Sequence, residues 1–155
     1  SIGGRVARHL RKSFTFDGVY DMSSSQEDIF TKAVSPIVEE VLEGYNCTVF
    51  AYGMTGTGKT YTMEGGAFQM LDCSDGLPAG GVVLDNSGVI PRSVQQIFRH
   101  LEACSSDYTV RVSHMEIYNE KLMDLLNGGT ESDNLRLIPD ERNGTNVKNL
   151  EEVVV

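Results

Sequence analysis

The chain has 155 residues, one domain's worth of polypeptide, and its 40% hydrophobic and 23% charged content is that of an ordinary globular protein. Its net charge of −9 argues against a non-specific nucleic-acid binder and against an anionic membrane surface as the main partner. No apolar run approaches the roughly 20 residues of a bilayer-spanning helix, the start SIGGRVARHL has no apolar signal core, and Cys47, Cys73 and Cys104 have neither C-x-x-C nor metal-ligand spacing, so an intracellular chain with reduced thiols is expected.

Residues 1–12 show no clean period and read as loop. Residues 13–20, SFTFDGVY, alternate, with Phe14 and Phe16 on one face, which predicts a strand. Ser23–Ser25 then offer an N-cap, and Glu27 and Asp28 place negative charge in the first helical turn. From there the pairs Ile29/Phe30, Ala33/Val34, Ile37/Val38 and Val41/Leu42 form one helical stripe able to lie on a sheet. Pro36 lacks an N–H donor and predicts a kink or restart, with Ser35 as a local cap; Gly44 suits the C′ position.

A short run of β-formers, Thr48–Tyr52, leads into Gly53-Met54-Thr55-Gly56-Thr57-Gly58-Lys59-Thr60. This octet fits the phosphate-loop pattern G-x-x-x-x-G-K-[ST] at every specified position. Glycines let phosphate oxygens approach backbone N–H groups, and consecutive N–H groups at a helix start attract an anion. In this pattern Lys59 reaches the β- and γ-phosphates and the Thr60 hydroxyl serves Mg²⁺, which prefers hard oxygen ligands. A chance Gly/Thr-rich turn would have to meet four specified positions and both flanks.

Lys59–Met63 can start a helix that Gly65-Gly66 stops. Residues 64–88 are long, irregular and glycine-rich, which is usual for a functional or disordered loop. Ile90, Val94, Ile97, Phe98 and Leu101 then mark an amphipathic helix over about 89–102, as if the helix opened at the phosphate loop resumed after an insertion. Residues 107–118 alternate as a long strand. Asn119-Glu120 followed by Leu122, Leu125 and Leu126 reads as a short helix ending at Gly128-Gly129. Two short strands, Leu135–Ile138 and Glu152–Val155, are expected around a turn near Asn143-Gly144. His9, His100 and His114 do not cluster, and Glu116 and Glu120 straddle a strand end, so neither set is taken as a ligand or acid/base group.

These segments carry a resemblance. GYNCTVFAYGMTGTGKTYTMEG at 44–65 closely resembles the phosphate-loop segment of kinesin motor domains, and FTFDGVYD at 14–21, GVIPR at 88–92 and VSHMEIYNEKLMDLL at 112–126 match kinesin motifs in order. The wording Asn46-Cys47-Thr48, the insertion at 64–88 and the ending LEEVVV resemble the bipolar mitotic kinesins of the fifth kinesin family. The resemblance implies an α/β P-loop NTPase fold, a central mostly parallel sheet with flanking helices, incomplete in this chain. It implies a microtubule-stimulated ATPase using ATP/ADP and Mg²⁺, located in the cytoplasm on cytoskeletal and spindle microtubules, with no nucleic-acid or membrane partner. Gly53, Met54, Thr55, Gly56, Thr57, Gly58, Lys59, Thr60 and Tyr61 would hold the nucleotide, Tyr61 against the adenine and Thr60 at the metal. Insertion 64–88 would correspond to a loop that forms an allosteric inhibitor pocket, and Arg142 and Lys148 would be contact candidates for tubulin.

The chain departs from the family in places. Met54 stands where the family usually has Gln, which puts one polar contact in question. Neither N-x-x-S-S-R-S-H nor D-L-A-G-S-E occurs, and the family's first strand, main microtubule-binding helix and neck linker have no counterpart here. The expectation is one partial motor domain over 1–155 with a phosphate cradle and no catalytic residue identified. Two other readings stay open. One is a truncated or degenerate kinesin-like module that binds nucleotide or a partner without turnover. The other is a small independent P-loop protein in which Val82–Gly88 supplies a Walker-B-type aspartate, Asp85; its weakness is that the glycine-rich stretch 61–81 cannot easily form a crossover helix, and a turn before the next helix is the plainer reading of 85–88.

Overall fold

The computed structural model describes residues 12–66, 83–104, 107–128, 135–140 and 144–155. The expectations for residues 1–11, for the middle of the insertion (67–82) and for Arg142 lie outside the described residues. The chain divides into two compact units, Ser1–Cys104 and Ser105–Val155.

In the first unit, helix α1 (Gln26–Ile29) opens on a capping box. The Ser25 Oγ accepts the Asp28 N–H at 3.0 Å, and the Asp28 carboxylate accepts the Ser25 N–H at 3.2 Å. The Ser25 hydroxyl, then the Lys32 ammonium 2.9 Å away, hold the Asp28 carboxyl down to about 2. A π-helical segment, Phe30–Val34, joins α1 to α2 (Ser35–Leu42). This corrects the expected restart. Ser35 is not a cap: its N–H bonds the Phe30 carbonyl five residues back, and the widened turn absorbs Pro36 without a break. The C-terminus closes as foreseen on Gly44, with Tyr45 N–H on the Glu40 carbonyl at 3.1 Å and Gly44 N–H on that of Val41 at 3.0 Å.

Helix α3 is Lys59–Met63, and α4 is Val89–Ala103, close to the expected 89–102. The core of the unit is Val34, Val38 and Val89, with Phe30, Leu42, Met63 and Ile97 packed on it. The second member of each predicted apolar pair, every fourth residue from Phe30 to Leu42, therefore faces α4; Val41 is 39% exposed. Burying a valine fully is worth about 2 kcal/mol, so three such residues are a small anchor for a hundred-residue unit.

The predicted strands at 13–20 and 48–52 are not strands among the described residues, and no parallel ladder forms there. The alternation itself is real, since the Phe14 and Phe16 rings stack on one side with centroids 6.5 Å apart. A strand-like sequence becomes a ladder only where a neighbour supplies hydrogen-bond partners, and among the described residues neither segment makes a backbone hydrogen bond to another.

The second unit is built of antiparallel pairs. Strands β2 (Met115–Tyr118) and β3 (Lys121–Asp124) form a two-residue hairpin around Asn119 and Glu120, whose φ values are +48° and +64°. The short helix expected from Asn119 to Gly128-Gly129 is instead a turn at 119–120, strand β3 at 121–124 and a further turn at 125–128, because two consecutive left-handed residues reverse the chain before a helical turn can close. The expected long strand at 107–118 is split into β1 (Arg111–Val112) and β2. Strand β4 (Arg136–Asp140) pairs with β5 (Gly144–Lys148), and β6 (Val153–Val154) pairs with β1, so the final valines are not the partner of 135–138. Asp124, 2% exposed, gathers this unit: its carboxylate accepts the N–H groups of Glu151 (2.8 Å), Leu126 (3.0 Å) and Asn127 (3.3 Å). Those bonds, Glu151 first, hold its carboxyl below the usual carboxylate range.

Candidate functional site

The octet Gly53–Thr60 is a loop braced by one of its own carbonyls. The Met54 oxygen accepts the Thr57 N–H at 3.3 Å, the Thr57 hydroxyl at 2.7 Å and the Lys59 ammonium at 2.8 Å. Lys59 also donates to the Gly53 carbonyl at 2.8 Å, which folds its positive charge back over the loop. Gly58, at φ +93°, turns the chain into α3, and its carbonyl accepts the Thr62 N–H at 2.8 Å. Among the described residues, no backbone acceptor meets the N–H groups of Gly56, Gly58, Lys59 and Thr60. An open cavity of about 350 Å³ is lined by Thr55, Gly56, Gly58, Lys59, Thr60 and Tyr61.

The site thus combines unsatisfied N–H donors, a lysine ammonium, a threonine hydroxyl and an aromatic ring at one edge. That donor set fits a polyphosphate with its divalent cation. The substitution at position 54 is explained by the brace: its backbone carbonyl does the holding, while the Met54 side chain is 80% exposed. Tyr61 is 54% exposed, and its carbonyl accepts the Gln26 Nε2 at 2.6 Å, a bond between the start of the first helical run and the phosphate-loop helix.

The insertion leaves and returns at one point. Gly65 bridges Ser87, Gly88 N–H bonds the Glu64 carbonyl at 3.0 Å, and Gly66 N–H bonds that of Asn86 at 3.0 Å. A Cβ on Gly88 would stand 2.6 Å from the Met63 backbone, so only glycine allows the two helix ends to meet. Arg92 closes the base by donating to the carbonyls of Ser87 (2.9 Å), Asp85 (3.0 Å) and Leu84 (3.2 Å). Asp85 lies in a turn, with Ser87 N–H on the Leu84 carbonyl at 2.9 Å. The turn reading of 85–88 therefore holds, and among the described residues no strand leads into Asp85 as a Walker-B site would require.

Of the two basic contact candidates, Lys148 is exposed at the end of β5, directly opposite Arg136 of β4. Sequence reasoning passed over Arg136, Arg92 and Gln26. Cross-strand register revealed the first; the other two act on backbone carbonyls, which leave no trace in residue spacing.

Residues 5–155 match the kinesin motor domain family. Among curated relatives, kinesin-like proteins KIN-5C and KIN-5A of Arabidopsis thaliana are 45% and 47% identical over 97% of this chain, which spans 15% and 14% of their lengths. KIN-5D of the same plant is 50% identical over 78% of this chain and 11% of its own. A solved structure of a fast kinesin, described for its ATPase mechanism and interactions with microtubules, superposes with a TM-score of 0.75 at 46% identity, covering 94% of this chain and 37% of that one. Among the described residues no parallel ladder forms, while the chain as a whole is similar to the P-loop NTPase fold of kinesins. By sequence and by fold this chain belongs to the kinesin motor domain family, and the relatives named here are of its KIN-5 group.

Proposed function

We propose that residues 53–61 are the nucleotide cradle of a microtubule-based motor that couples ATP hydrolysis to movement, working in spindle organisation on cytoskeletal microtubules. One observation carries the reading: free N–H groups, the Lys59 ammonium and the Thr60 hydroxyl line one open cavity at the start of a helix. On ATP or ADP, Lys59 exchanges the Gly53 and Met54 carbonyls for phosphate oxygens. The N–H groups of Gly56, Gly58 and Lys59 take further phosphate oxygens, and Tyr61 offers its ring to the adenine. Thr60 supplies a hydroxyl to Mg²⁺, which when bound neutralises charge on the phosphates.

Residues 1–155 form part of one motor domain, with the loop at 53–60 and the insertion at 64–88. The groups that orient the attacking water belong to switch motifs absent from these residues, so the segment contributes the cradle and the whole domain the turnover. Arg142 and Lys148 are our candidates for tubulin contact, with Arg136 beside Lys148 reinforcing the positive charge. Insertion 64–88 is a candidate allosteric site for small molecules. The test is ATP hydrolysis by the full-length protein with and without microtubules. Stimulated turnover is expected; no turnover under either condition would overturn the reading.

A further inference from the structure

Helix α3 is only five residues long, so its later carbonyl groups have no N–H four residues on within the helix. The Thr60 carbonyl takes the Glu64 N–H at 2.7 Å, and the chain then leaves for the insertion. Among the described residues the Tyr61 carbonyl accepts no backbone N–H. Its donor comes from another element: Gln26, the first residue of α1, reaches it with Nε2 at 2.6 Å across 35 positions of sequence. Gln26 is 6% exposed, and among the described residues its Oε1 is buried without a partner. A buried orphan acceptor is costly, and a methionine of the same length would fill the space without one, so what the position uses is the donor. The bond holds the backbone of Tyr61, whose ring stands exposed at the edge of the phosphate-loop cavity. An exposed ring has few packing neighbours to orient it, and its backbone anchor decides where it stands.

We infer that Gln26 is a positioning residue for nucleotide binding: by capping α3 from α1 it fixes Tyr61 where the ring meets the base, and so sets the preference for a nucleotide over bare phosphates. This role rests on the nucleotide reading above and adds to it a base-side determinant that lies outside the phosphate loop. The phosphate donors, Gly56, Gly58, Lys59 and Thr60, all precede Tyr61, and their loop is braced separately by the Met54 carbonyl. Loss of the Gln26 bond therefore acts on the base and spares the phosphates.

The test is calorimetric titration of the full-length protein with Mg-ADP and with Mg-pyrophosphate, which offers the phosphates without base or sugar. The native protein should bind ADP at least about tenfold tighter than pyrophosphate. Gln26→Met should weaken ADP at least about fivefold and leave pyrophosphate within about twofold. Gln26→Glu, of the same size and without the Nε2 donor, should give the same split, and it carries the test if the first variant unfolds. In a Tyr61→Ala background, Gln26→Met should change ADP affinity by less than about twofold further, because both changes act through one ring. Binding of neither ligand by the native protein would overturn the nucleotide reading and this role together. With native binding intact, three results would each overturn the role of Gln26 alone: equal affinity for ADP and pyrophosphate, a split absent from the Gln26 variants, or independent effects of the changes at 26 and 61.

Discussion

Two glycine-rich loops flank the five-residue helix α3, and they treat their backbone polar groups in opposite ways. At 53–58 one carbonyl, that of Met54, gathers three donors while the N–H groups of Gly56 and Gly58 and of the following Lys59 and Thr60 stay open. At 64–66 and 84–88 the groups are consumed: N–H groups pair with carbonyls across the base, and Arg92 takes three more carbonyls. Similar composition thus serves two ends. The first loop retains its donors for a ligand; the second is scaffolding that lets a long insertion leave without disturbing the helix ends. Donors left without a protein acceptor around one open cavity are available to a ligand, and that availability is itself a pointer to function.

The comparison can be broken at several points, from the largest effect downward. Lys59→Ala should lower ATP turnover by at least about 100-fold while shifting unfolding little, because lost charge stabilisation of phosphate dominates. If Lys59 is only a brace on Gly53 and Met54, melting will fall and turnover will persist. Gly88→Val should cost about 3 kcal/mol in urea unfolding, because the new side chain meets the Met63 backbone. Arg92→Met keeps the stem and removes three charge-assisted bonds, so about 2 kcal/mol is expected, with protease sensitivity rising at the insertion. Met54→Gln should change stability by less than about 0.5 kcal/mol and nucleotide affinity by less than about twofold, since only the carbonyl holds the loop.

A pH titration sharpens the helical side. The Asp28 carboxyl is depressed in the folded state to about 2, from about 3.9 in the unfolded chain. The unfolded state therefore binds the proton first. The contribution of the cap is complete above about pH 5 and fades as pH falls toward about 2. NMR titration of the Asp28 carboxyl should show the depressed midpoint, and Ser25→Ala should return it toward the ordinary range. An unchanged midpoint in that variant would remove the capping explanation.

Much of the site was legible because its chemistry is local. The octet, an N-cap within Ser23–Ser25, the C′ glycine Gly44 and the resumed helix at 89 each rest on residues within a few positions of one another. What was misread is non-local or conformational. Leu122, Leu125 and Leu126 have helical spacing, yet Asn119 and Glu120 adopt the left-handed region, so that Leu122 falls in a hairpin strand and Leu125 and Leu126 in the turn that follows it. The strand at 153–154 finds its partner forty residues back at 111–112, which no period announces. Gln26 and Arg92 bind carbonyls, and any residue can offer a carbonyl.

The central claim is that the open loop holds the phosphates. Equilibrium titration of the full-length protein with a fluorescent ADP, with Mg²⁺ or with excess chelator, tests it directly in the native sequence and in Lys59→Ala. The account predicts tight binding that weakens at least about tenfold on chelation and at least about thirtyfold in the variant. Equal affinity in the native protein and Lys59→Ala would contradict it.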